Sequence, residues 1–284
     1  MPDPSATDVP PTDTSADLQL ALSMATIADG ITRGRFTAHD LRVCRKPDRT
    51  PVTDADLAVE DAIRATLAEQ RPGDAVLGEE RGAGAGPSKT GPSCTESGRT
   101  GSNRTWVLDP IDGTKNFLRG VPAWGTLVAL VTDGHPVVGV VSMPALGRRW
   151  WAAEGCGAHT CDPDDTERAI AVSAVSTLAD AYVSTTHLGS WVQHRTREAY
   201  LALVDACWEN RAFGDCWQHC LVAEGAIDLA AEPVVNVWDV AAVQVIVEQA
   251  GGRFTDLEGN PRHDRGSALS SNGLLHDAAL AHLR

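Results

Sequence analysis

The chain has 284 residues, 43% of them hydrophobic and 22% charged, enough to bury the core of one large α/β domain or two joined lobes. Its 38 acids against 24 bases give a formal net charge of -14, which repels a phosphate backbone and excludes general nucleic-acid binding. No apolar run is long enough to span a membrane. The seven cysteines, an odd number with no C-x-x-C pair, argue against a disulfide framework or a structural zinc site.

Met1 to Ala16 is rich in Pro, Thr, Ser and Asp, and reads as a disordered tail. It lacks the basic and apolar regions of a secretory signal, which points to a cytoplasmic protein. From Asp17, apolar residues recur at three- and four-residue spacing (Leu18, Leu22, Ala25, Ala28, Ile31) and predict a helix. A second helix is expected after Thr53, where Thr53 and Asp56 have the spacing of a capping box. Pro72-Gly73 stops it.

Strands are predicted at Ala75 to Gly78, Trp106 to Leu108, Leu127 to Thr132, Val137 to Ser142 and Arg148 to Ala153. Gly134 and Pro136 punctuate a hairpin. Gly82 to Asn103 is poor in apolar residues and reads as a long flexible loop. Its Ser88-Lys89-Thr90 fails as a phosphate-binding loop, since Ser rather than Gly precedes the lysine. Further helices are expected at Thr196 to Trp208, Asp215 to Glu224, Asp239 to Gln249 and Leu274 to Leu283. Strands separate some of them, at Ala226 to Ala231 and Arg253 to Asp256. This order of elements predicts stacked layers of helix and sheet.

The densest chemistry lies at Trp106 to Phe117. A strand leads to Asp109, Pro110 forces a turn, and Asp112 follows. Two clustered carboxylates repel one another unless a cation sits between them, and hard oxygens suit Mg²⁺. Gly113 and Thr114 offer backbone N–H groups at a helix start, where an anion is favoured. The bland reading of such an Asp pair is turn chemistry. Further acids stand at the edges of other elements: Gly78-Glu79-Glu80 after a strand, Asp54 and Asp56 at one helix start and Asp239 at another. Each has its own bland reading as a solvated or capping residue.

Together these segments carry a resemblance. Asp109-Pro-Ile-Asp-Gly-Thr-Lys-Asn-Phe117 resembles the signature of the inositol-monophosphatase superfamily of Mg²⁺-dependent, lithium-sensitive phosphatases. Gly78-Glu-Glu80, Trp238-Asp239-Val-Ala-Ala242 with Glu248 to Gly252, and Val52-Thr-Asp-Ala-Asp56 with Lys46 are similar to its other motifs. Arg148 to Ala152, Arg211 to Asp215, Cys220 to Gly225 and Ala230 to Pro233 resemble its actinobacterial histidinol-phosphate phosphatase branch. The resemblance implies a layered α+β or α/β fold, an αβαβα sandwich. One domain would span 17–284, with lobes at 17–160 and 161–284.

It also implies a metal-dependent phosphate-monoester hydrolase of histidine biosynthesis, a homodimer, with no nucleic-acid or membrane partner. Glu79, Asp109 and the carbonyl of Ile111 would hold one Mg²⁺. Asp109, Asp112 and Asp239 would hold a second, and Asp56 with Glu79 a third. Thr114 and Asp56 would take a proton from the attacking water, with Glu79 as a rival base. Gly113 and Thr114 would meet the substrate, and Glu232 would read its hydroxyl. Asp215 would favour a cationic alcohol, unless it only caps the following helix. Arg211 and Asn236 are further candidate contacts. His219 and most of the tryptophans read as core, while Trp124 and Trp191 are candidates to line the pocket. The alternatives are another small phosphate ester, such as inositol monophosphate, or a catalytically silent protein on the same scaffold.

Overall fold

The structure, a computed structural model, describes residues 14–46, 50–84 and 103–284. Residues 1–13 of the expected tail and 85–102 of the expected loop lie outside the described residues, as does Ser88-Lys89-Thr90. Helix α1 (Thr14–Arg35) starts three residues earlier than the sequence pattern predicts, so Thr14, Ser15 and Ala16 belong to the helix and not to the tail. A short ribbon follows, β1 (Val43–Arg45) with β2 (Pro51–Thr53), and then α2 (Asp54–Gln70).

The first sheet holds β3 (Ala75–Gly78), β4 (Gly82–Gly84), β5 (Arg104–Asp112), β6 (Gly125–Thr132), β7 (His135–Met143), β8 (Arg148–Ala153), β9 (Ala158–Cys161) and β10 (Glu167–Ile170). Its order is β10-β9-β8-β7-β6-β5-β3-β4. Gly82–Gly84, expected in the loop, pairs antiparallel with β3 instead. A five-residue helix, α3 (Thr114–Leu118), leaves the end of β5. The second lobe holds β11 (Tyr182–Ser184), α4 (Leu188–His194), α5 (Arg197–Ala206), β12 (Glu209–Arg211), α6 (Asp215–Ala223), β13 (Leu229–Glu232), α7 (Val237–Gln249), β14 (Arg253–Thr255), β15 (Ala268–Ser271) and α8 (His276–Leu283). Its sheet runs β12-β11-β13-β15-β14.

Alternation along the strands explains the layering, because successive side chains point to opposite faces. Trp106, Leu108, Val128 and Leu130 face α1 and α2, where they meet Met24 and Ile63. Val107, Leu127 and Ala129 face the other way, against Cys220, Val243 and Ile246 of α6 and α7. The second sheet covers the far side of that helix pair. Its outer face packs Val183, Leu229 and Leu269 against Trp191, Tyr200 and Leu280 of α4, α5 and α8. The result is the αβαβα sandwich. Helix α7 lies between two sheets and is buried from Val240 to Val247, which accounts for a sequence there that is apolar but for Gln244. No helix among the described residues is long and apolar enough to cross a membrane.

One glycine sets the closeness of the layers. A Cβ on Gly139 of β7 would collide with the backbone carbonyl of Ala242 in α7. Backbone cannot yield as a side-chain tip can. Gly139→Ala should therefore cost about 2–3 kcal/mol and lower the melting temperature by roughly 4–10 °C. A thermal melt within a degree of the parent would show that the two layers separate freely.

Candidate active site

The site forms where β3 and β5 end. These strands run parallel, and the Glu79 amide donates to the Leu108 carbonyl at 3.1 Å, so Glu79 emerges beside Asp109. Glu60 of α2 accepts the amides of Glu80 (2.8 Å) and Arg81 (3.1 Å), which fixes the turn after β3. Lys46 places its ammonium 2.8 Å from both Glu79 and Glu80. The turn expected at Pro110 is instead a register shift within β5, which runs on to Asp112: its pairing with β6 slips between Asp109 and Asp112.

Two helix starts bring further acids. Asp56 is the third residue of α2, and its Oδ2 accepts the Thr53 amide (2.8 Å) and hydroxyl (2.6 Å). Asp239 is the third residue of α7, and its Oδ2 accepts the Asn236 amide at 2.7 Å. Both are capping boxes, the first legible in the sequence.

One oxygen each from Asp109, Asp112 and Asp239 lies within 4.8 Å of the others. Burial raises the Asp109 carboxyl well above the usual range, and the charges of Glu79, Asp112, Asp239 and Asp56 push it further. Burial and the charges of Asp215 and Asp239 raise Asp112, against a hydrogen bond from Cys216. Asp239 is pushed up to about 7 and Asp56 to about 6, in both cases mainly by burial. Asp109 Oδ1 and Asp56 Oδ1 are buried without a hydrogen-bond partner. Buried acceptors left unpaired beside other carboxylates fit a hard cation such as Mg²⁺.

Gly113 (φ 80°) starts α3, and a Cβ there would press to 3.0 Å from the Ala123 carbonyl and 3.1 Å from Asp215 Oδ2. Thr114 donates its hydroxyl to the Ile111 carbonyl at 3.0 Å. Asp215 faces this helix from the second lobe and accepts from Asn116 Nδ2 at 3.2 Å. Its side chain makes no capping bond at α6, where Gly214 is the cap residue. Asp112 supplies the acceptor there instead, taking the Cys216 amide at 2.5 Å. The plain helix-cap reading of Asp215 is thereby set aside.

A cleft of 550 Å³ opens over Glu79, Gly113, Thr114 and Asp215. A smaller cavity of 120 Å³ beside it is lined by Asp112, Asp239, Asp215 and Glu232. Glu232 is buried and pushed up to about 8, chiefly by burial. It accepts the Thr186 amide at 3.0 Å, the Thr186 hydroxyl and the Gln218 side chain.

Other candidates lie elsewhere. Arg211 is exposed at the edge strand β12, where its guanidinium sits 2.6 Å from Glu209, and it does not line either cavity. Asn236 turns its side chain to Asp239. Trp124 and Trp191 are fully buried and line no pocket: Trp124 packs with Phe36 and Phe117, and Trp191 stacks on Tyr200. Trp208, by contrast, is 70% exposed. His219 borders the smaller cavity but is buried, bonded to Ser270 at 2.7 Å, and its pKa is lowered by burial to about 4.

The sequence model of the inositol monophosphatase family matches residues 12–284. The chain belongs to that family. Within it, the chain is 51% identical to a histidinol-phosphatase of Mycobacterium tuberculosis over 94% of this chain and 97% of the relative. It is 48% identical to a histidinol-phosphatase of Streptomyces coelicolor, over 94% and 96%. An inositol monophosphatase from Zymomonas mobilis shares the fold with a TM-score of 0.79 and 31% identity, covering 95% of this chain and 98% of its own.

Several residues of this inositol-monophosphatase site gave no signal in the sequence. Thr186 and Gln218 lie 46 and 14 residues from Glu232 and meet it only after folding. Cys216, Trp217 and His187 border the cavities without belonging to a charged motif, whereas Phe213 lies inside the Arg211–Asp215 segment. Lys46 was visible beside its motif, but its bonds to Glu79 and Glu80 are long-range.

Proposed function

We propose that the protein is a Mg²⁺-dependent phosphate-monoester hydrolase that converts L-histidinol phosphate to L-histidinol and phosphate. The observation that carries this reading is the Asp109–Asp112–Asp239 cluster, with Asp109 buried and the other two half-buried, and two further acids, Asp215 and Glu232, lining the cavity beside it. The likeness to two histidinol-phosphatases at about half identity over nearly the whole chain supports the substrate.

Glu79, Asp109, the Ile111 carbonyl, Asp112, Asp239 and Asp56 are the proposed ligands of two to three ions. Bound Mg²⁺ supplies the positive charge that activates water and stabilises a leaving oxygen. Thr114, its proton committed to Ile111, orients the attacking water through its lone pairs. A hydroxyl cannot keep an extra proton, so Asp56 takes it, with Glu79 as the rival. Asp56 Oδ1, buried and without a hydrogen-bond partner, is the atom that receives it. Water attacks phosphorus directly, so no covalent enzyme intermediate is required. Gly113 and Thr114 hold the phosphate end. Asp215 and Glu232 face the cationic alcohol, whose charge their own complements. A cytoplasmic homodimer of this enzyme, acting in histidine biosynthesis, completes the reading.

The test is phosphate release from a panel of monoesters with Mg²⁺, with and without Li⁺. L-histidinol phosphate should be hydrolysed fastest, and Li⁺ should inhibit. Preference for inositol monophosphate would overturn the substrate and leave the chemistry standing. Release from no ester, with no heat of Mg²⁺ binding, would point to a silent scaffold.

A further inference from the structure

The cleft is lined by two unlike sets of residues. Glu79, Gly113 and Thr114 belong to the first. Phe213 and Trp217, for which phosphate chemistry has no use, belong to the second. We propose that Phe213 and Trp217 form a subsite for a flat azole at the leaving-group end of the substrate, with Asp215 as the counter-charge of a neighbouring ammonium. This rests on the hydrolase reading above and names how that site selects its alcohol.

The wall is built to stay in place. The two rings lie edge to face, centroids 5.5 Å apart at 69°. Phe213 also meets Tyr182 at 5.9 Å, and its amide donates to Ser184 Oγ at 3.1 Å. Trp217 is the third residue of α6. Both rings are only half-buried, so each keeps surface for a ligand. Asp215 lies between them in sequence and reaches across to Asn116 and Gly113. A ligand held at Gly113 therefore has a carboxylate and then two aromatic rings along its length.

The chemistry of this order is selective. A cation or azole gains from an aromatic face, and the gain grows as water is excluded. A polyol presents hydroxyls that lose their water partners against a wall with nothing to return. A second phosphate would need cations, and among the described residues Lys115 is the one lysine or arginine lining the cleft.

The test compares Trp217→Leu and Trp217→Phe with the parent, using L-histidinol phosphate and glycerol 2-phosphate. Calorimetry with L-histidinol and Mg²⁺ gives a reading independent of turnover. Trp217→Leu should lower kcat/KM for L-histidinol phosphate roughly tenfold through KM, weaken L-histidinol binding by the same factor, and leave glycerol 2-phosphate within about twofold. Trp217→Phe, which keeps an aromatic face, should recover most of the loss. Equal losses on both esters, or no loss on either, would overturn the subsite. Should the parent hydrolyse neither ester, the function reading fails. L-histidinol binding then decides alone: lost in Trp217→Leu it upholds the subsite, and unchanged or absent it removes it.

Discussion

Asp109→Asn is expected to abolish Mg²⁺-dependent phosphate release, lowering kcat by roughly a thousandfold or more. The amide has the shape of the carboxylate but no charge, and it turns an acceptor into a donor. Asp109 is the acid whose oxygen lies with those of Asp112 and Asp239, and its Oδ1 has no hydrogen-bond partner. The same substitution should stabilise the metal-free protein, because it removes a buried charge that Glu79, Asp112, Asp239 and Asp56 all repel. Activity falling while the metal-free melting temperature rises is a pair of signs that a merely structural residue does not produce. Retained turnover would remove Asp109 from the ligand set.

The metal-free protein should lose stability as pH rises, the reverse of an ordinary salt-bridged protein. Asp56 is raised to about 6, Asp239 and Glu80 to about 7, and Glu232 to about 8, in each case chiefly by burial. Unfolded, these carboxyls titrate near 4. Between about pH 4 and 8 the folded chain therefore binds more protons than the unfolded one, and stability falls with pH across that window. Below it both states are protonated and the penalty disappears. In EDTA, the melting temperature should drop by something on the order of 5–10 °C from pH 5 to pH 8. With saturating Mg²⁺ the drop should vanish or change sign, since the ions bind the ionised acids. Scanning melts at four pH values, with and without Mg²⁺, decide it; parallel curves would mean that the acids and the ions do not share a site.

Most of the layering was legible because its strands are long and its helices periodic. β3 and β8 have the predicted bounds. β9, β11, β12 and β15 were missed, being three or four residues long and too short to show a period. Local motifs were legible for the same reason that their bonds are local: Thr53 reaches Asp56 across one helical turn. The hub of Thr186, Gln218 and Glu232 was not, because its members come from separate elements. Trp124 and Trp191 show the opposite error. Their loop-like sequence context suggested a pocket, but large rings placed beside other rings close into core.

The paired capping boxes separate two tasks within one carboxylate. In Asp56, Oδ2 closes the first turn of a helix while Oδ1 is left over. Asp239 spends Oδ2 on its own helix start in the same way. Folding thus pins each side chain by one oxygen, with no help from an ion, and leaves the other oxygen out of the cap. Under the proposed function such a receptor would be preorganised: a cation arriving from solvent would meet ligands whose rotamers are already chosen, and would lose little to ordering them. A common helix-starting pattern, met again and again in proteins that bind nothing, would then need only further acids nearby to become part of a metal site.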